Sequence, residues 1–131
     1  MRAHLTFITV GKDYESAERA WVERLSARYA QDFAPLAISN VVYSVHMYVP
    51  GAFTHQGVHG SAPKPLAYPG MIENKSWDKT ALEIALQPVM DFQKKFNVHI
   101  YIGEFSSIRW APDQSAYRYL RDVIDIFEAQ D

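Results

Sequence analysis

Two short apolar runs set what this chain can fold into: Asn40-Val41-Val42-Tyr43-Ser44-Val45-His46-Met47-Tyr48 and Val98-His99-Ile100-Tyr101-Ile102-Gly103. Each is too short for a helix and rich in β-branched and aromatic residues, so both predict strands. The first is nearly continuously apolar, the pattern of a strand covered on both faces, and Pro50-Gly51 closes it. The second ends on Gly103, where a glycine lets another backbone or a ligand come close. Glu104 follows, where the strand is expected to give way to loop. Between the runs a helix is expected from a cap at Ser76 to about Phe96, burying Leu82, Ala85, Leu86, Val89, Met90 and Phe96. Pro88 inside it predicts a kink or a break into two segments. Two strands joined through a helix are the unit of a parallel sheet.

The flanks repeat the alternation. Leu5-Thr-Phe-Ile-Thr-Val10 reads as a first strand stopped by Gly11. From about Glu15 to Gln31 the pattern turns helical, with Asp13 as its cap and Ala17, Trp21, Leu25 and Tyr29 on one face. After Glu104 a loop runs from Ser106 to Pro112. Asp113 then reads as the cap of a helix over Gln114 to Ala129 that presents Ala116, Leu120, Val123, Ile124 and Phe127. The order β-α-β-loop-α-β-loop-α is that of an α/β protein with parallel strands, doubly wound or closed as a barrel. Three parallel strands leave bare sheet edges, so the 131 residues are expected to form one incomplete segment of something larger. The stretch from Pro50 to Asn74 predicts a loop of roughly two dozen residues, a length that is usually functional when ordered. It carries Phe53, His55, His59 and Tyr68, and an ordered, ligand-facing loop is the expectation.

Composition excludes several functions. A net charge of −2 gives no electrostatic footprint for nucleic acid or an anionic membrane. The chain has no cysteine, which rules out disulfides and thiolate zinc sites. Its N-terminal residues lack the apolar core and cleavage site of a signal peptide. No apolar run approaches a membrane-spanning length. Aromatics make up 14%, many of them in loops, where exposed rings suit the flat apolar faces of sugars.

His46 and Tyr48 stand two apart at the end of their strand, so both side chains lie on one face of the sheet. Glu104 ends the next strand. The carboxyl ends of parallel strands are where ligands bind in such folds, so the three groups are expected to be neighbours. A carboxylate there can serve as nucleophile, general base or metal ligand. His55 and His59, with His46, raise an imidazole metal site. Their spacing chelates on a helix, however, and Gln56-Gly57-Val58 reads as loop, so no metal is expected. Glycine-rich phosphate loops and a serine nucleophile elbow are absent. Glu73, Glu83, Asp91, Asp122 and Asp125 read as solvated charges.

Asn40 to Tyr48, then Pro50-Gly-Ala-Phe-Thr-His-Gln56, then Ile102-Gly-Glu-Phe-Ser106 with Arg109-Trp-Ala-Pro112, together resemble glycoside hydrolase family 5, the cellulase-like (β/α)8 barrels. The resemblance is firm from about Asn40 to Glu128 and weaker over Met1 to Ser39. It implies a partial TIM barrel covering about the fifth to seventh β/α units. It further implies cofactor-free hydrolysis of β-1,4-glucan or a related plant-type polysaccharide with retention, by a secreted or periplasmic protein. Glu104 matches the catalytic nucleophile, His46 the substrate-binding histidine, and Tyr48 the tyrosine that hydrogen-bonds the nucleophile. Two departures stand beside these matches. The Asn-Glu-Pro motif that carries the family's acid/base occurs nowhere in the chain, and the tryptophan-bearing eighth strand would begin past Asp131. The isolated chain is therefore expected to be inactive alone. The alternative is a degenerate carbohydrate-binding fragment, or one that completes a barrel with a missing half.

Overall fold

A computed structural model describes residues 4–9, 25–26, 34–37, 41–58, 60 and 65–130, with backbone only for 4–9 and 25–26. The strands are β1 (His4–Thr9), β2 (Leu25–Ser26), β3 (Val41–Met47), β4 (Gly70–Ile72), β5 (Lys75–Trp77) and β6 (His99–Phe105). The helices are α1 (Gly51–Thr54), α2 (Lys79–Phe96) and α3 (Ser115–Glu128), the last preceded by a 3₁₀ turn at Pro112–Gln114. Four strands form one sheet in the order β2-β1-β3-β6, and β4-β5 form a separate hairpin.

The two apolar runs are β3 and β6, and they pair in parallel as their helical connection requires. Tyr43, Val45 and Met47 of β3 are fully buried in the core, where they meet Leu82, Leu86, Val89 and Phe92 of α2 and Tyr119, Val123 and Ile126 of α3. Tyr43 meets Phe92 edge to face, with ring centroids 5.1 Å apart. Ile100 and Ile102 of β6 point to the same core. Alternation then puts Ser44 and His46 on the opposite face.

One irregularity decides which face Glu104 takes. Val45 pairs with Ile102, but His46 pairs with Glu104, so Gly103 is an extra residue bulged out of β6. Strict alternation would send Glu104 to the core with Ile100 and Ile102. The bulge resets the parity. Glu104 joins His46, while Phe105 turns into the core and meets Phe127 at 5.4 Å. Glycine is required here for space. A β-carbon at residue 103 would collide with Ser44 Oγ and come within 3.4 Å of the His46 ring. Ser44 is 1% exposed, and its hydroxyl, without a hydrogen-bond partner among the described residues, fills the gap beside the bulge.

Several sequence expectations are corrected. The first strand is in place, but β1 runs antiparallel to β3, from His4↔His46 to Thr9↔Val41. Apolar alternation reports a face and not a direction, and the antiparallel ladder is slightly the stronger per residue. The sheet is therefore mixed. The helix over 15–31 and its Asp13 cap lie outside the described residues, except that Leu25–Ser26 is extended. There the free edge of β1 captures the backbone (Leu5↔Leu25), overriding the helical periodicity.

The long loop is not structureless. It opens with α1 and closes with the β4-β5 hairpin, whose two turn residues Glu73 and Asn74 both carry positive φ as such a turn demands. Ser76 is therefore a strand residue, and Asp78 caps α2 by accepting from Ala81 N at 2.9 Å. Asn97, in the left-handed region, ends the helix behind Lys94 and Lys95. Pro88 does not divide α2, which runs unbroken across it.

Asp113 sits at φ 52 inside the 3₁₀ turn and caps nothing. The buried face of α3 is Ser115, Tyr119, Asp122, Val123 and Ile126, leaving Ile124 39% exposed. Tyr119 draws the helix round. Its ring packs 5.5 Å from both Phe53 and Tyr68, and its hydroxyl donates to Val49 O at 3.1 Å. Phe53 and Tyr68 are thus core residues rather than ligand-facing ones. Asp122 is buried rather than solvated, accepting from the Tyr68 hydroxyl at 2.8 Å with Arg121 at its other oxygen.

Two outcomes test this packing. Gly103→Ala is expected to destabilise the chain by about 1–3 kcal/mol in urea unfolding, and Ser44→Ala in the same chain to recover much of the loss by vacating the contested space. Independent losses that simply add would show that the two positions do not meet. Tyr68→Phe leaves the buried Asp122 carboxylate short of a donor and is expected to cost about 2 kcal/mol by the same measurement.

Candidate active site

β3 and β6 end side by side, and the groups carried there converge on one oxygen. The Tyr48 hydroxyl donates to Glu104 Oε2 at 3.3 Å. His46 Nδ1 lies 3.4 Å from the same atom. The structure thus brings together all three residues singled out in the sequence, across a sequence separation of 56 for Tyr48 and Glu104. Their accessibilities are graded: the Glu104 side chain is 54% exposed and that of His46 27%. The carboxylate is held on one side and open on the other.

Tyr48 is itself held. Tyr48 stands just past β3, and its carbonyl accepts from Thr54 Oγ1 at 2.8 Å. The same hydroxyl contacts His55 Nδ1 at 2.8 Å, and the His55 ring packs edge-on against Tyr48 with centroids 5.0 Å apart. α1 therefore folds back over the strand end to fix the phenol. The cis peptide at Val49-Pro50 lies within this turn. The loop after β6 is tied to α1 and the turn that follows it: Ile108 N donates to Thr54 O at 3.1 Å, and Trp110 Nε1 donates to Gln56 O at 3.3 Å. Gln56 clamps the loop onward, its amide bonding Leu66 N and O at 2.8 and 2.9 Å.

Burial pushes the Tyr48 phenol up from its ordinary value of 10.0, and the neighbouring Glu104 charge and the hydrogen bond to it push in the same direction. The phenol consequently stays a donor through neutral and mildly alkaline pH. As a set, these groups can present an oriented carboxylate to a bound electrophile, with an imidazole beside it to contact ligand. His55 is occupied with Thr54 and Tyr48, and His59 lies outside the described residues. Among the described residues no group of three or more His, Cys, Asp or Glu is arranged to hold a metal ion. None of the described helices is long and apolar enough to cross a membrane.

Thr54, Gln56 and Trp110 belong to the stretches that carry the family resemblance, but the sequence assigned none of them a role. Thr54 and Gln56 act through local side-chain hydrogen bonds, which leave no periodic trace in the sequence.

No family model matches the chain. Curated relatives do. Endoglucanase C of Acetivibrio thermocellus and endoglucanase C307 of Clostridium sp. (strain F1) are each 29% identical over 115 residues, covering 70% of this chain and 34% of the relative. Among solved structures, a hyperthermophilic endo-β-1,4-glucanase in complex with substrate superposes with a TM-score of 0.67 at 27% identity, over 79% of this chain and 33% of that one. A second, described as a glycoside hydrolase, gives 0.60 at 26% identity, over 82% and 32%. The chain is similar to cellulase-like glycoside hydrolases. It spans about a third of the length of the curated relatives it matches.

The effect of the carboxylate on the phenol is measurable. Glu104→Gln is expected to lower the Tyr48 pKa towards, but not to, 10.0, because burial remains when the charge is gone. An alkaline titration of the Tyr48 ring resonance reads it. An unchanged midpoint would mean that the two groups are not in contact. The sign for stability follows. A phenol whose pKa is raised by folding contributes fully below pH 10.0, and that contribution is lost as pH rises from there through the folded value.

Proposed function

We propose that this chain supplies the nucleophile side of the active site of a retaining endo-β-1,4-glucanase of the family 5 type, with the parallel pair β3-β6 as its contribution to a (β/α)8 barrel. The observation that carries the reading is the convergence of the Tyr48 hydroxyl and His46 Nδ1 on Glu104 Oε2, at the carboxyl ends of a parallel strand pair. A β-1,4-glucan, or a related polysaccharide, is the substrate class, in keeping with the relatives' names.

In this mechanism a Glu104 oxygen attacks the anomeric carbon, the glycosidic C–O bond breaks, and a glycosyl ester on Glu104 forms. Tyr48 donates to the carboxylate and orients it. His46 contacts the sugar bound in front. The hydrolysis of that ester restores Glu104 and retains the configuration. Departure of an alcohol needs a proton from a second carboxyl, about 5–5.5 Å from the first in retaining enzymes. The chain contains no Asn-Glu-Pro motif to provide it, so the proton donor is assigned to residues outside these 131.

That division suggests the test. An aryl glycoside with a very acidic phenol, 2,4-dinitrophenyl β-cellobioside, departs as the phenolate and needs no proton. The chain is expected to release one equivalent of phenolate and to gain the mass of one cellobiosyl group on the peptide containing Glu104. Glu104→Gln is expected to do neither, and Tyr48→Phe to react about 10²-fold more slowly. Phenolate release that survives Glu104→Gln would remove Glu104 from the role. A chain that binds cellobiose yet forms no ester would favour the non-catalytic carbohydrate-binding alternative.

A further inference from the structure

We propose that the indole face of Trp110 is a second binding platform, stacking on a sugar ring of the same β-glucan chain away from the bond at Glu104. The inference rests on reading the Glu104 cleft as a glucan site. A single exposed aromatic is ordinary on a protein surface; what sets Trp110 apart is that it is exposed and immobilised at once. The residue is 58% exposed, yet its polar edge is bonded to Gln56 O.

Both sides of the Trp110 turn are anchored. Ile108 and Ala111 are buried, Ile108 N donates to Thr54 O, and Ala111 N donates to Ile108 O. The receiving loop is equally fixed, because Gln56 clamps Leu66 through both of its amide atoms. The indole therefore has little freedom left to lose when a ligand covers it, the condition under which an aromatic contributes most to binding.

Position supports the same occupant. Trp110 lies in the loop that leaves the Glu104 strand, and its partner Gln56 adjoins His55, whose ring packs on Tyr48. A continuous set of contacts thus joins the platform to the carboxylate through the Tyr48 side of the cleft. With its N–H already spent on Gln56, the indole offers a ligand its apolar face. The C–H faces of β-linked glucose units match that surface, whereas an anion or a peptide backbone would need the donor.

Titration of cellohexaose into the 131-residue chain, followed by its indole N–H resonances, tests the proposal. Trp21, Trp77 and Trp110 give the signals, and Trp110→Phe identifies the one of interest by its loss. The Trp110 signal is expected to shift saturably, and Trp110→Ala to weaken binding about tenfold. Trp110→Phe, which keeps a ring but not the bond to Gln56, is expected to weaken it less. Saturable binding with an unmoved Trp110 signal, or with equal affinity in Trp110→Ala, would overturn the platform and leave the glucan reading of the cleft standing. No binding of cellohexaose by the unmodified chain would overturn both.

Discussion

The candidate site depends on one inserted residue. Without the bulge at Gly103, the period of two in β6 would bury Glu104 among Ile100, Ile102 and the helices, and would turn Phe105 outward. A carboxylate in that core would be expensive, and a phenylalanine on the open face would waste its apolar surface. The bulge solves both problems in a single step. It is possible only because residue 103 has no side chain and its neighbour on β3, Ser44, has a small one. Bulges in parallel pairs are uncommon, and those that occur tend to re-aim a side chain near a functional site. The requirements of the core and of the site meet at this position.

From there outward the structure is a sequence of restraints that ends on the carboxylate. The aromatic cluster of Phe53, Tyr68 and Tyr119 anchors α1 and the start of α3. The Tyr119 hydroxyl holds Val49 O, next to the turn that carries Tyr48. Thr54 then secures the Tyr48 carbonyl, and Tyr48 donates to Glu104. Burial falls along this path, from the fully enclosed Tyr119 to a Glu104 side chain about half open to solvent. Such a gradient lets a well-packed core position a group that must still be reached by a substrate.

The strands β3 and β6 were legible because continuous apolar runs of that length have few alternatives, and the shared face of His46 and Tyr48 followed from the period alone. The face of Glu104 did not. Simple alternation from Ile100 and Ile102 places it in the core, whereas its position at the carboxyl end of a parallel strand and the resemblance to family 5 pointed the other way. The direction of β1 was hidden for a related reason: a hydrogen-bond ladder can form either way, and side-chain alternation is the same in both. The β4-β5 hairpin was missed because its three-residue strands contain Gly70, Lys75 and Ser76, too short and too polar for a periodic signal. Asp122 was misread because a carboxylate reads as solvated by type; it lies on the buried face of α3, and the partner that satisfies it, Tyr68, is distant in sequence.

The two kinds of aromatic in the chain divide the labour in a way that bears on function. Tyr68 and Tyr119 are enclosed, and burial raises both phenols above 10.0, with Asp122 adding to the rise at Tyr68 and Tyr48 at Tyr119. Their hydroxyls are permanent donors, spent on Asp122 and on Val49 O. Tyr48 has the same chemistry in a more open setting, and its donor goes to Glu104 instead. A phenol suits that position better than a lysine would. It supplies a hydrogen bond without a full positive charge, so it orients the carboxylate without neutralising it. For a proposed nucleophile that balance matters, because the negative charge on Glu104 is what attacks the sugar, and too strong a partner would hold it back.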